Sequence, residues 1–361
     1  MATNTRYNFS TREDIGCNQW NQEVGNFPEA WLWHRWEAID CYAQWSQNTD
    51  CSFALVEPQS GNIVALVPLR CISGRWPVRG LLRRLESTGG PAYSPSLSRR
   101  QRRIVEQEVR RRLIESSREM GAYRVDLSLP PLAPSYTSNA AQPINPLAMI
   151  GCTDTSTQSW VLTLKGRTED ELWRGLEHRV RKTVKRALRL EIAVREANTD
   201  DLSDFLRLQK EASVRNNLPL KPDAYYESIF NKFFSNTMAV GFCAISSDEQ
   251  IHAIHVFGVF KRTAIYWVVA SNEYALVSGA NDLVQWRAIC RFSTLGIELY
   301  ESGEAFPGLT EGKLKGISDF KKGFGGNLVS YYRGAIVRRP IISAFHALLT
   351  AVRHVSRRPH R

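Results

Sequence analysis

Apolar and polar residues alternate in two short runs, 52–56 and 63–70, on either side of a Pro-Gln-Ser-Gly-Asn turn. Such alternation around a turn predicts a β-hairpin. A helix over 28–45 precedes it, and Ser98 after it occupies a capping position for a helix over 99–120 that ends at Gly121. A strand over 123–129 follows. The first half of the chain therefore reads helix, hairpin, long helix and strand.

The second half repeats this order. The pattern predicts a strand at 160–164, a helix at 169–190, a strand at 192–196 and a helix at 202–214. Strands at 239–245, 251–260 and 264–270 then precede a helix at 280–295 that ends at Gly296.

The repetition predicts a tandem duplication in the α/β class, with mixed sheets flanked by helices. We expect four regions: a flexible N-terminus (1–25), a first domain with its linker (26–158), a second domain (159–335) and a basic amphipathic tail (336–361).

The net charge indicates which kind of partner to expect, and the distribution of cysteines indicates the cell compartment. The 361 residues carry a formal net charge of +11, which favours anionic partners. The seven cysteines are scattered without metal-ligand spacing, which is typical of reduced thiols in a cytoplasmic protein and predicts no metal. The chain begins without an apolar signal segment and contains no run of 18 apolar residues, so we expect neither export nor a membrane span.

The most informative stretch is 295–332. A short strand there leads to Glu301 and Gly303, and Phe320 and Lys321 come just before a glycine-rich turn. A cation beside an aromatic ring at such a strand–loop junction can neutralise a phosphate or a developing oxyanion. The alternative is a solvated lysine next to a core phenylalanine.

Three blocks resemble the FemAB-like, or BioF2-like, branch of the GNAT acyltransferases. The C-terminal block reads ISDFKKGFGG over 317–326, after a strand that ends Glu-Ser-Gly. The block LEHRVRKTVKRA over 176–187 resembles the basic helix that opens the second half of those proteins. The block NDLVQWRAI over 281–289 resembles the amphipathic helix before their last strands.

The resemblance implies tandem GNAT-like (acyl-CoA N-acyltransferase-like) domains and acyl transfer. One expectation is transfer of an acyl or acetyl group from acyl-CoA to an amine or hydroxyl of a cell-envelope or polysaccharide-related acceptor. The alternative is an aminoacyl-tRNA-dependent transferase that builds a peptidoglycan bridge. A third hypothesis is a non-catalytic basic protein that binds nucleic acid or acts as a scaffold.

The same resemblance implies roles for residues of the C-terminal block. Lys321 would stabilise the oxyanion or grip a donor phosphate, and Phe320 would pack the acyl or adenine group. Phe324 and Gly325 would complete the donor-binding turn. Glu301 takes the place of the acidic residue at the family's strand end and is a candidate base; the alternative is a loop salt bridge.

Acceptor phosphates would contact Arg215 and Tyr225, with Tyr226 equally available. The pyrophosphate-cradling turn of CoA-dependent GNAT enzymes is matched only by Gly279-Ala280, so Gly279 and Asn281 are candidate donor contacts. Because the rest of that turn is missing, acyl-CoA and aminoacyl-tRNA both remain open as donors.

Three further features carry open alternatives. His255 is a candidate general base or a hydrogen-bonded core histidine. The helix with Arg181 and Lys185 is a candidate contact for tRNA, CoA phosphates or a nucleotide-linked acceptor. The alternative is a solvated basic helix. The tail, residues 338–361, lies on an anionic membrane surface at the inner face or docks on its own domain.

Overall fold

A computed structural model describes residues 7–74, 82–137, 144–217 and 219–356. In chain order the strands are β1 (Asn8–Thr11), β2 (Asn48–Asp50), β3 (Phe53–Val56), β4 (Ile63–Val67), β5 (Arg70–Ile72), β6 (Arg84–Ser87), β7 (Ala92–Tyr93), β8 (Arg124–Ser128), β9 (Thr153–Asp154), β10 (Thr157–Thr163), β11 (Ala193–Ala197), β12 (Ala239–Ile245), β13 (Ile251–Phe260), β14 (Thr263–Ser271), β15 (Leu299–Ala305), β16 (Asn327–Tyr331) and β17 (Arg333–Val337).

The α-helices are α1 (Arg12–Ile15), α2 (Cys17–Asn26), α3 (Trp36–Ala43), α4 (Arg99–Glu119), α5 (Pro134–Thr137), α6 (Glu169–Gly175), α7 (His178–Arg189), α8 (Leu202–Asn216), α9 (Asp223–Ser228), α10 (Glu273–Ser278), α11 (Ala280–Thr294), α12 (Lys313–Lys322) and α13 (Pro340–Ser356). A π-helical turn, Ile229–Phe233, follows α9. Strands and helices alternate along the chain, and the α/β class is confirmed.

The chain forms two compact units. Unit 1 contains the described residues up to Ser156 together with those from Tyr332 onward, and unit 2 contains Thr157–Tyr331. Unit 1 holds a sheet ordered β1-β3-β4-β7 and a second sheet ordered β2-β5-β6-β8-β17-β9. Unit 2 holds one seven-stranded sheet, β11-β12-β13-β14-β15-β10-β16. Both units contain mixed sheets, because β6 runs parallel to β8 and β14 runs parallel to β15.

Unit 1 confirms the predicted hairpin and long helix. β3 and β4 pair antiparallel, and Ser98 caps α4 with a reciprocal capping box to Gln101. The predicted helix over 28–45 is shorter, because a 3-10 turn and an extended Arg35 precede α3.

The predicted flexible N-terminus is wrong for the part of it that the structure describes. β1 pairs with β3, Thr11 caps α1, and α2 buries Trp20 and Val24. Residues 1–6 lie outside the described part of the chain.

The predicted second domain also ends too late. β17 pairs with β8 and β9 of unit 1, so unit 2 ends at Tyr331 instead of residue 335. The tail begins as α13, which is part of unit 1, while residues 357–361 are not among the described residues.

Unit 2 differs from prediction in its basic helix. The expected helix over 169–190 is two helices, because Leu176 has an extended backbone with ψ 143°. The break lets the Glu177 amide donate to the Gly323 carbonyl at 2.9 Å. Val180 and Val184 of α7 then pack into the same core cluster as Val284 and Ile289 of α11.

Candidate active site

The candidate site begins where two parallel strands of unit 2 separate. β14 and β15 pair over three residues each, Thr263–Ile265 with Leu299–Glu301, although they continue to Ser271 and Ala305. The register between β10 and β15 shifts at the same level, since Val161 lies opposite Glu301 while Trp160 lies opposite Gly303. Ser302 is therefore an extra residue, and bulges of this kind bend a strand and are common beside active sites. We call this separation the wedge.

Lys321 reaches the backbone of β15 just past the wedge. Its ammonium donates to the Glu304 carbonyl oxygen at 2.8 Å. The Nζ atom lies 2.9 Å from where a Cβ on Gly303 would sit, so the glycine makes room for the ammonium. Lys321 is half-buried in α12, whereas we predicted a strand–loop junction. The predicted alternative of a solvated lysine does not describe this contact.

Burial and nearby acids act on this ammonium in opposite directions. Desolvation lowers the pKa of Lys321, while the charges of Glu301 and Glu304 oppose the change, and the net shift is downward. A cation that is partly desolvated interacts more strongly with an anion than a solvated one does. Lys321 is therefore suited to stabilise a negative charge that develops in the wedge.

Glu301 is a buried carboxylate inside β15. Its side chain is 2% exposed and accepts a hydrogen bond from the Ser159 hydroxyl of β10 at 2.5 Å. We predicted a strand end before Gly303, but β15 continues to Ala305. Glu301 therefore lies within a strand and not in a loop. Glu301 remains a candidate base or a group that positions Lys321.

The other residues of the C-terminal block pack against the core and the backbone of unit 2. Phe324 is buried in the core of unit 2, and Phe320 packs edge-on against it with the ring centroids 5.1 Å apart. Gly325 has φ +84°, and a Cβ there would lie 3.0 Å from the Gly175 carbonyl oxygen. Phe324 and Gly325 were predicted to contact the donor. In the structure both residues pack against core and backbone atoms of unit 2, and their contact with a donor stays a prediction.

His255 belongs to a different cluster, on the α11 side of the sheet. It is fully buried, with Nε2 2.9 Å from Asn281 Oδ1 and Nδ1 3.4 Å from Gln285 Nε2. The Tyr300 hydroxyl donates to Gln285 Oε1 at 2.5 Å. Because successive side chains of a strand point to opposite faces, Tyr300 and Glu301 lie on opposite faces of β15.

This placement removes His255 from the candidate catalytic group. Burial lowers the pKa of His255 to about 4, so the ring is neutral near pH 7. Both ring nitrogens have side-chain partners, and Glu301 lies on the other face of the sheet. The predicted alternative of a hydrogen-bonded core histidine describes this residue.

The expected donor turn at Gly279 is filled by protein. A Cβ on Gly279 would lie 2.6 Å from Thr183 Cγ2 and 2.8 Å from the Thr183 carbonyl oxygen of α7. The side chain of Asn281 is turned inward to His255. Asp282, in the first turn of α11, adds a carboxyl group whose pKa burial raises to about 6. Gly279 thus packs closely on α7 and Asn281 bonds to His255, and their role as donor contacts stays a prediction.

The predicted acceptor contacts lie along β14. Arg215, exposed at the end of α8, donates to the Ser271 carbonyl oxygen at 2.8 Å. Tyr225 is 2% exposed, and its hydroxyl accepts from Trp267 Nε1 at 3.1 Å. Tyr226 is buried against Phe205. Both tyrosines are buried, whereas Arg215 contacts the end of β14 at Ser271. A contact of Tyr225 or Arg215 with an acceptor stays a prediction.

Helix α7 presents the densest positive charge of unit 2. Its groove is lined by six residues: His178, Arg181, Lys182, Lys185, Leu188 and Arg189. Arg181 is partly engaged, because it donates to the Arg174 and Leu176 carbonyls at 3.0 and 2.6 Å. Lys185 is exposed. An exposed basic helix of this kind is suited to an extended polyanion.

Sequence reasoning missed Ser159 and the role of Gly303. Ser159 looks like one more polar residue of an alternating strand, and only the pairing of β10 with β15 brings it to Glu301.

Among the described residues, no cluster of acidic, histidine or cysteine side chains could hold a metal ion. Within the same part of the chain, every helix is too short or too polar to cross a bilayer.

The comparisons with known proteins agree with this architecture. The FemAB family model matches residues 148–256. The crystal structure of FemX superposes with a TM-score of 0.65 at 13% identity, covering 93% of this chain and 99% of that one. L-PGS from Bacillus licheniformis gives 0.55 at 12% identity, with 91% and 98% coverage. No curated protein sequence matches the chain significantly.

A tandem GNAT protein from the clavulanic acid biosynthesis pathway gives a TM-score of 0.50 at 9% identity, with 91% and 98% coverage. At these identities, the structural matches establish the fold. The family match ends before the block that contains Lys321, so the site rests on the geometry of this chain. The predicted resemblance is confirmed: residues 148–256 match the FemAB family model, and the chain has the fold of FemX and of a tandem GNAT protein.

Proposed function

We propose that this chain transfers an aminoacyl group from aminoacyl-tRNA to an amine or hydroxyl of a cell-envelope precursor. The observation that carries the proposal is the half-buried Lys321 ammonium, held on the Glu304 carbonyl oxygen at the wedge. A fixed cation beside strands that have separated supplies both a place for an acyl group and a partner for its oxygen.

The chemistry follows from that placement. The acceptor nitrogen or oxygen attacks the ester carbonyl of the charged tRNA, and the carbonyl oxygen becomes negative in the tetrahedral intermediate. Lys321 stabilises that oxygen. Collapse of the intermediate breaks the bond to the ribose oxygen, which takes up the proton that the acceptor loses. Glu301, near Lys321, would position the ammonium or carry that proton.

The donor proposal has two supports from the chain itself. The groove along α7 offers several cations to a polyanion, as the acceptor arm of a tRNA would require. The turn at Gly279, where CoA-dependent enzymes would hold a pyrophosphate, is filled by Thr183. The FemAB-family match and the FemX and L-PGS neighbours also favour the aminoacyl alternative over the acyl-CoA donor that we predicted first.

A donor assay with the full chain tests this proposal. Labelled aminoacyl-tRNA and labelled acetyl-CoA are supplied separately with a peptidoglycan precursor or phosphatidylglycerol as acceptor. We expect label to reach an acceptor from tRNA only, and Lys321→Ala to abolish it. Transfer from acetyl-CoA alone would contradict the donor assignment. RNA binding without transfer from either donor would support the non-catalytic alternative.

A further inference from the structure

Helix α13 of unit 1 carries an apolar face that its own unit leaves uncovered. Ile341 is 85% exposed, Phe345 42% and Leu348 63%. Their spacing of four and three residues places the three side chains on one face of the helix. Large apolar side chains grouped in this way on a surface mark a contact with a partner or a lipid phase.

The opposite side fixes the helix to unit 1. His346 Nδ1 lies 3.0 Å from the Tyr123 hydroxyl, and the two rings are tilted against each other with centroids 5.7 Å apart. The amides of Arg338 and Arg339 both donate to the Tyr123 carbonyl, at 2.9 and 3.0 Å. The orientation of the helix is therefore set by unit 1, and the apolar face points away from it.

Positive charge is concentrated at the start of the helix, where Arg338 and Arg339 precede Pro340. Arg338 donates to the Ala122 carbonyl at 3.1 Å, which holds its guanidinium at the start of the helix. Desolvation lowers the pKa of Arg338, and the nearby charges of Arg339 and Arg118 lower it further. The sequence contains no Asp or Glu after Asp319, so no acidic residue within α13 neutralises this group.

We propose that α13 lies on an anionic membrane surface, with Ile341, Phe345 and Leu348 inserted between lipid head groups. Apolar side chains on one face and basic residues beside them are the combination that binds anionic bilayers. No described helix, α13 included, is suited to cross the bilayer, which is consistent with a surface position. The proposal is independent of the catalytic proposal, although it would bring unit 1 to the membrane where lipid-linked acceptors are found.

Vesicle flotation of the full chain tests the inference. Wild-type protein should float with vesicles of phosphatidylcholine and phosphatidylglycerol, and should remain at the bottom with phosphatidylcholine alone. Ile341→Asp should weaken partitioning by about tenfold or more, because it removes an inserted side chain and adds a like charge to the lipid. The matched control is Val214→Asp, since Val214 is 83% exposed in unit 2; it should float like wild type.

Three results would overturn the proposal. One is wild-type protein that does not float with the anionic vesicles, and another is Ile341→Asp that floats equally well. The third is a concentration-dependent dimer that Ile341→Asp dissociates, because the face would then be an interface between two copies. Thermal unfolding of each variant checks that a loss of binding does not come from a loss of fold.

Discussion

Two polar clusters lie in unit 2, and they differ in how completely the protein satisfies the hydrogen-bonding groups of each. On the α11 face, His255 is fully buried, and both ring nitrogens have side-chain partners in Asn281 and Gln285. At the wedge, Lys321 is half-buried and donates to the Glu304 carbonyl oxygen. Complete satisfaction favours a role in stability, whereas a charge kept beside separated strands favours chemistry.

The largest expected effect is on catalysis. Lys321→Ala should lower kcat by about 100-fold or more, the usual loss when one oxyanion donor is removed. Its melting temperature should stay close to that of wild type. The matched control is Lys322→Ala, because Lys322 is the adjacent exposed lysine; it should keep its activity. Equal turnover by wild type and Lys321→Ala would contradict the assignment of the site.

The next effect should fall on stability. His255→Leu leaves the buried amides of Asn281 and Gln285 without the ring, and should lower the free energy of unfolding by about 3 kcal/mol. Urea denaturation measures this change. Turnover per folded molecule should remain within about twofold of wild type. A variant that kept its stability and lost its turnover would return His255 to the catalytic group.

The pH dependence of stability separates His255 from its neighbour Asp282. Burial lowers the pKa of His255 to about 4, so its contribution is present above pH 6.5 and is lost as pH falls. Burial raises the pKa of Asp282 to about 6, so its contribution is present at low pH and is lost as pH rises through 6. The two contributions therefore oppose each other between pH 4 and 6.

The variant Asp282→Asn should separate these two pH-dependent contributions to stability. Relative to wild type, its free energy of unfolding should fall by about 3 kcal/mol between pH 7 and pH 4, because about 1.4 kcal/mol accompanies each pKa unit. For His255→Gln, the free energy of unfolding relative to wild type should instead rise between pH 7 and pH 4. Urea denaturation at the two pH values measures both. Parallel curves for wild type and Asp282→Asn would show that Asp282 is not protonated in the folded protein.

A smaller effect is expected at Gly303. It has φ +102°, and a Cβ there would meet the Lys321 ammonium at 2.9 Å. Gly303→Ala should cost about 1–2 kcal/mol of stability and lower kcat about tenfold, as the ammonium is displaced from the Glu304 carbonyl. The control is Gly316→Ala in α12, where a Cβ would meet no atom within 4 Å. Full activity of Gly303→Ala would show that the carbonyl contact does not position Lys321.

The smallest effect is expected on the basic helix. Replacing Lys182 and Lys185 together with Ala should raise the KM for charged tRNA by about three- to tenfold and reduce its dependence on salt. kcat should be unchanged. The same double replacement at Arg100 and Arg103, exposed on α4 of unit 1, is the control. A fall in kcat at constant KM would argue against a binding role for α7.

Much of the secondary structure was predictable because local pattern controls it. The hairpin β3–β4, the capped helix α4 and the strands β12, β13 and β14 all follow from alternation, caps and turns. The break at Leu176 was missed, since it is accompanied by a hydrogen bond from Glu177 to Gly323, far away in the sequence. The pairing of β17 was missed for the same reason, because its partners are strands of unit 1 that are distant in the sequence.

The sequence by itself determined the FemAB-like signature, the duplicated order of elements and the identity of Lys321 as the candidate cation. Motif and periodicity are local properties, so they can be read along the chain. Only the tertiary structure decided that Glu301 and Ser159 meet, that His255 lies on the other face, and that Gly279 is closed by Thr183. Those relations depend on strand register and on which face of the sheet each helix covers, and both are fixed by packing between residues distant in sequence.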